Sequence, residues 1–177
     1  MNTLKAEKRS MDVKAKKLRR EGFVTGNLFG REIEGSIPLK FTKKEIEVLL
    51  KNNNKGSQVM LELDGKTYDA LIKEVDYNPL AHTVEEVDFQ ALVSNEMVHS
   101  TAEIILENEE KVMSGVLQDE LKEVAYKALP ADLVDKIKVD VAGMKIGDTL
   151  RVKDLEIAKN KNIHITTDPE AVVATVT

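Results

Sequence analysis

Five cations fall within seven residues: Lys14, Lys16, Lys17, Arg19 and Arg20, in a run without one acidic member. Arg9 precedes them. Guanidinium groups present a planar fork of donors that matches phosphate oxygens, and ammonium groups act as compact point charges toward the same target. A dense set of both, left without counter-charges, is the chemistry of polyanion binding. The plainer reading of a charge run is a solvated helix face, but such faces usually mix signs. The asymmetry is sharper because the whole chain carries a formal charge of −5. Its first 20 residues hold eight Lys and Arg against two Asp and Glu. Residues 1–92 hold 16 basic and 15 acidic side chains, and residues 93–177 hold 10 and 16. A basic end suits a polyanion, and the acidic half is expected to lie away from it.

Other chemistries find little support. His82, His99 and His164 are far apart, and none stands three or four residues from another histidine as in a two-histidine metal motif. The stretch "GMKIGDT" lacks the glycine and lysine spacing of a phosphate loop, and no GxSxG elbow occurs. No cysteine is present, so disulfides and thiolate metal sites are excluded. Carboxylates are plentiful, but no catalytic pair stands out. The expectation is a binding protein, not an enzyme, with no metal and no cofactor. No apolar run approaches the ~20 residues of a membrane span. "MNTLKAEKRS" lacks the apolar segment of a secretory signal, so a cytoplasmic address is expected.

These residues need elements to position them. Asp12 is placed to cap a short helix through about Arg20, with Gly22 as its stop. The apolar residues of that helix are Val13, Ala15 and Leu18, a face too thin to hold it on a core without a partner. Thr42 and Glu45 form a capping-box pattern before Ile46, Leu49 and Leu50, and "NNNKG" ends that helix. "QVMLELDGKTYDALIKEV" reads as a β-hairpin turning at Asp64-Gly65, and "TVEEVDFQAL" as a further strand. In the second half "STAEIILE", "LKEVAYKAL", "KIKVDVAGM" and "HITTDPEAVVATV" carry strand patterns, while "LPADLVDK" suggests one helical turn. Few helices and many short strands predict a mainly β chain in two units, divided within Leu92–Met97, here set as 1–94 and 95–177.

The order of motifs adds a resemblance. "KKLRREG" is followed by "FVTGNLFG", "DGKTYDALIKEV", "NP" and "EEVDF", and then by "LPADL", "KIKVDVAGMKIGDTLRVKDL" and "TDPEAVVATV". This series resembles the bacterial large-subunit ribosomal protein L twenty-five family, including its two-domain general stress protein (Ctc) branch, over nearly the whole chain. The resemblance implies an N-terminal small β-barrel with helices that binds 5S ribosomal RNA, and a mostly β C-terminal domain. It implies a ribosome-associated protein whose partners are 5S ribosomal RNA and the large subunit. Arg9, Arg19 and Arg20 match family arginines used on RNA phosphates and base edges, with Lys14, Lys16 and Lys17 as supporting phosphate contacts. Asp88 in "EVDF" matches a family aspartate, whose carboxylate can accept from base amino groups or 2′-hydroxyls.

The chain also departs from that pattern. Glu86 stands where the family usually has the histidine of "HVDF". Phe29 replaces a tyrosine, which keeps a stacking surface and loses a hydroxyl. Asp76-Tyr77-Asn78 stands where a cation is common. Thr25 replaces a proline, read as a lesser change of loop stiffness. An RNA face altered at Phe29, Asp76, Tyr77 and Glu86 leaves a second expectation open: a stress-related binding module of the same fold with weakened 5S RNA binding.

Overall fold

The structure is a computed structural model and describes residues 2–177. The chain divides into two compact units, Met1–Glu96 and Met97–Thr177. In the first, the order is β1 (Thr3–Lys8), α1 (Ala15–Arg20), β2 (Phe23–Phe29), β3 (Ser36–Thr42), α2 (Lys43–Asn52), β4 (Gln58–Leu63), β5 (Lys66–Asn78) and β6 (Thr83–Ala91). The six strands form a closed barrel in the order β1-β3-β2-β6-β5-β4. Two of its contacts are parallel, β1 with β4 and β2 with β6, and the rest are antiparallel. Closure leaves no open sheet edge.

Alternation decides which side chains fill the barrel. Val24 and Leu28 of β2, Leu39 and Phe41 of β3, Val59, Leu61 and Leu63 of β4, Ala70 and Ile72 of β5, and Val87 and Phe89 of β6 are buried in one cluster. Phe41 and Phe89 meet with ring centroids 5.4 Å apart. The hairpin from β4 to β5 turns through Asp64 and Gly65, both at positive φ (50° and 78°), the mirror-image turn that Asp-Gly favours. α2 packs Ile46 and Leu49 into the same cluster. Its N-cap is Thr42, whose Oγ1 accepts from the Glu45 amide at 3.3 Å and donates to Glu45 Oε2 at 2.8 Å. At the other end Asn53 Nδ2 donates to the Leu49 carbonyl at 2.9 Å.

Inside β2, Gly26 lies where the parallel neighbour passes close. A Cβ built on it would stand 2.0 Å from the Val87 carbonyl oxygen and 3.1 Å from the Phe41 ring. Only glycine lets β2 reach β6 at this point.

α1 differs from its expectation at the start. It begins at Ala15 with Lys14 at the N-cap and no side-chain cap. Asp12 lies upstream, where its amide donates to Ser10 Oγ at 3.3 Å. Leu18 is the buried side chain of the helix, at 5% exposure, and Gly22 follows at φ +91°.

The second unit holds β7 (Val98–Glu107), β8 (Leu117–Asp119), β9 (Glu123–Ala128), β10 (Lys136–Asp140), β11 (Thr149–Arg151), β12 (His164–Ile165) and β13 (Val172–Val176). They make a four-stranded sheet in the order β10-β7-β9-β12 and a three-stranded sheet in the order β11-β13-β8. "LPADLVDK" contributes a single 3-10 turn at Pro130–Asp132. The core is largely aliphatic, with Tyr126 fully buried in it. The Tyr126 hydroxyl donates to the Val134 carbonyl and accepts from the Val134 amide, both at 2.7 Å. Burial holds this phenol above its usual pKa.

Gly26→Ala is expected to destabilise the chain by about 1–3 kcal/mol or more, because the clashing atom is backbone and has no rotamer to change. Chemical denaturation followed by circular dichroism checks it; an unchanged midpoint would show that β2 and β6 can part without cost. Each unit has its own core cluster, so a fragment of residues 1–96 is expected to unfold cooperatively with dispersed amide resonances. A collapsed spectrum would show that the first unit depends on the second.

Candidate nucleic-acid interface

The first unit carries its cations unevenly around the barrel. Lys14, Lys16, Lys17 and Arg20, with Asp12 and Val13, line one open hollow of about 320 Å³. Their helical spacing follows from Leu18, which docks the opposite side and turns its neighbours outward. Lys17 has an ion pair at 3.8 Å with Glu21, one turn on. Lys14, Lys16 and Arg20 are exposed and have no ion-pair partner among the described residues. Such a group of unneutralised cations is suited to phosphate oxygens.

The two other arginines are held more firmly. Arg9 follows β1; its amide donates to the Pro38 carbonyl at 2.9 Å, and its Nη2 reaches the Val13 carbonyl at 3.4 Å. Its Nε is buried without a partner among the described residues. Arg19 turns away from the other α1 cations toward the barrel. Its Nε donates to the Glu85 carbonyl at 3.1 Å and its Nη2 to Thr25 Oγ1 at 3.0 Å. Thr25 was expected to affect loop stiffness alone, yet it lies within β2 and is fully buried. Its hydroxyl in turn is 3.3 Å from the Glu85 carbonyl.

Strand register places the remaining candidates. Thr25 of β2 is paired with Glu86 of β6, and Asn27 with Asp88. On the other flank of β6, Asp76 of β5 is opposite Glu86, and Glu74 opposite Asp88. Four carboxylates therefore share neighbouring strands. Like charges directly opposite each other repel. Partial burial first, and then Asp88 and Asp76, hold the Glu86 carboxyl above its usual range, while Arg19 and Arg9 pull it down. Burial also raises Asp88, opposed by the hydrogen bond from Asn27 Nδ2 to its Oδ1 at 3.4 Å. Phe29 stands at the far end of β2, four residues from Thr25, or about 13 Å along the strand. Tyr77 ends up 53% exposed at the close of β5, with its hydroxyl 3.5 Å from His82 Nδ1. The register thus joins Arg19, Asp76, Glu86 and Asp88 in one face, while Phe29 and Tyr77 stand at its margins.

Sequence reasoning missed Glu74, Asn27 and the hydrogen bond from Arg19 to Thr25. Glu74 was hidden by a register shift between Ile72 and Glu74 that breaks simple alternation in β5. Among the described residues no three His, Cys, Asp or Glu side chains are grouped to hold a metal ion, and no helix is long and apolar enough to cross a membrane.

Residues 4–89 match the family model described as the Ribosomal L25p family, and residues 97–177 match that of the ribosomal protein TL5 C-terminal domain. Barrel, second β unit and these matches together define a two-domain ribosomal protein, a class without enzymatic chemistry. The chain is 31% identical over 181 residues to the large ribosomal subunit protein bL25 of Bacillus velezensis, covering 99% of this chain and 88% of that one. With the protein of the same name from Carboxydothermus hydrogenoformans it shares 32% identity over 177 residues, 95% of this chain and 87% of the relative. The bL25 of Thermoanaerobacter sp. (strain X514) is 29% identical over 164 residues, 92% and 81% of the two chains. The chain belongs to the ribosomal L25p family.

The raised carboxyls set a pH dependence. Glu86 and Asp88 bind protons more readily folded than unfolded, so the native state holds more protons and stability falls as pH rises through their folded pKa values. Their unfavourable contribution is fully present at neutral pH and relieved as pH falls into the carboxylate range. Glu86→Gln is expected to raise the melting temperature at pH 7 and to flatten its change between pH 7 and 5. A variant that melts below the wild type at pH 7 would contradict that sign.

Proposed function

We propose that this chain is a component of the large ribosomal subunit that binds 5S ribosomal RNA through α1, Arg9, Arg19 and the outer face of β2 and β6. The relatives named large ribosomal subunit protein bL25 support the ribosomal part of this reading. The observation that carries the RNA part is the exposed, unneutralised set Lys14, Lys16 and Arg20 around one hollow, beside Lys17 and an Arg19 already held at the barrel wall. Phosphates would meet the α1 cations. Arg19 and the acceptors Asp88 and Asn27 on the strand face would meet base edges or 2′-hydroxyls. Ribosome association, and with it a cytoplasmic place of work, is part of this reading.

A second reading has one specific observation in its favour. Glu74, Asp76, Glu86 and Asp88 put negative charge where the polyanion would lie. On this reading the same fold serves as a stress-related module with weakened RNA affinity.

Affinity for 5S RNA, measured against an unrelated helical RNA across a salt series, separates the two. Specific binding is expected, with log K falling against log salt at a slope of about −3 if four phosphates are neutralised. Equal affinity for both RNAs defeats the 5S assignment. Arg19→Ala is expected to weaken specific binding by ~1–3 kcal/mol. Glu86→His should strengthen it, because a carboxylate leaves the polyanion's surface; a gain that vanishes at high salt is electrostatic. No change in affinity would show that Glu86 stays clear of the RNA.

A further inference from the structure

Arg19 has five N–H donors, and the chain itself occupies two of them. Nε and Nη2 form one edge of the guanidinium plane. That edge faces the protein, with the Glu85 carbonyl at 3.1 Å and Thr25 Oγ1 at 3.0 Å. The other edge, Nη1 with the second Nη2 hydrogen, has no hydrogen-bond partner among the described residues. Anchoring one edge sets the direction of the other. A free arginine must give up rotamer freedom to form a bidentate pair, and a guanidinium already held in plane gives up less.

The acceptor arrangement is particular. The Glu85 carbonyl is backbone and any residue at that position supplies it. Thr25 Oγ1 is a side-chain atom, fully buried in β2, accepting from Arg19 and in reach of Glu85 O as its own acceptor at 3.3 Å. The hydroxyl therefore bridges β2, β6 and α1 at one point. Glu86, the register partner of Thr25, lies within electrostatic reach of the same guanidinium and is half-buried. Without the tether, Arg19 is free to swing onto that carboxylate, which would neutralise it and withdraw its open edge from solvent.

We infer that Thr25 is a positioning residue for RNA recognition: its hydroxyl fixes the guanidinium plane of Arg19, so that the Nη1–Nη2 edge is presented to a phosphate or a guanine edge. This rests on the 5S RNA reading above. Thr25 touches no RNA itself; it acts through Arg19.

The test is a double-mutant cycle in the full chain, with 5S RNA as the probe at about 0.1 M salt. Thr25→Val keeps the branched shape and the strand preference and removes only the hydroxyl; Thr25→Ser returns it. Thr25→Val is expected to weaken binding about tenfold, as for loss of a hydrogen bond to a charged group, and Thr25→Ser to restore most of that loss. In an Arg19→Ala background, Thr25→Val should change affinity by less than about twofold. An equal loss in both backgrounds, or no loss in either, overturns the inference. The Arg19 Nε–Hε resonance of the free protein provides a readout that does not involve RNA. Slow solvent exchange in wild type and Thr25→Ser, with fast exchange in Thr25→Val, supports the tether; identical exchange in all three overturns it. Failure of wild type to bind 5S RNA sinks the functional reading alone, and the exchange measurement still decides the tether.

Discussion

Two strands distant in the chain, β2 and β6, run parallel and approach so closely that no side chain fits between Gly26 and the Val87 carbonyl. Everything at the candidate interface depends on that contact. It is one of the two parallel pairings in the barrel, and parallel neighbours require a long crossover, here residues 30–82. Once it forms, register leaves no freedom: Thr25 must face Glu86, Asn27 must face Asp88, and α1, which leads into β2, is delivered beside the end of β6. Arg19 then donates one hydrogen bond to the Glu85 carbonyl, 66 positions away in the chain, and a second to Thr25, six positions away. A helix of six residues with one buried anchor is weak by itself, and this polar tether gives it a second point of attachment.

Charge on this unit is a matter of placement. Residues 1–96 hold 16 basic and 16 acidic side chains, so the unit has no net formal charge. What could attract a polyanion is local: six of its cations lie at Arg9 and on α1 with its cap, and among the described residues five of the six have no ion-pair partner, Lys17 being the exception. Six of the 16 acidic residues are equally local, on the neighbouring strands β5 and β6. Carboxylates here are partly shielded from water and repel one another, which is why both Glu86 and Asp88 hold their protons more tightly than free side chains. The candidate site thus pairs a solvated cationic helix with a strand face rich in acceptors. Acceptors can read amino groups and 2′-hydroxyls, but only where cations have already offset the repulsion of the backbone.

The second unit solves a different problem with little aromatic material. Apart from the ten-residue β7 its strands are short, and β8, β11 and β12 span three residues or fewer. Two small sheets of this kind cover a core of valine, isoleucine, leucine and alanine, with Tyr126 as its large central member. Val134 satisfies the buried phenol from both sides, as donor and as acceptor, so a polar atom in an apolar core is kept without loss. That pair of bonds also ties the segment after the Pro130–Asp132 turn to β9.

Period-2 alternation and turn chemistry made the β4–β5 hairpin, β6, β7, β9, β10 and β13 legible in the sequence, because each signal is local: side chains on one face, and Asp64-Gly65 at positive φ. The capping residue of α2 and the cation cluster were legible for the same reason. β1, β2 and β3 were not read as strands. In β1 only Leu4 and Ala6 turn inward, and β2 hides Gly26 and the buried polar Thr25 in its middle, so neither carries a clean hydrophobic alternation. The composition of the cluster and the mainly β class thus followed from residue types alone. Which cation is free and which is held, that Thr25 serves Arg19, and that four carboxylates share two strands were decided by register. For the carboxylates that register is the bulged pairing of neighbouring β5 and β6, partners 10 and 14 residues apart; for Arg19 and Thr25 it is the contact of β2 with β6, segments some sixty residues apart that no local window of sequence contains.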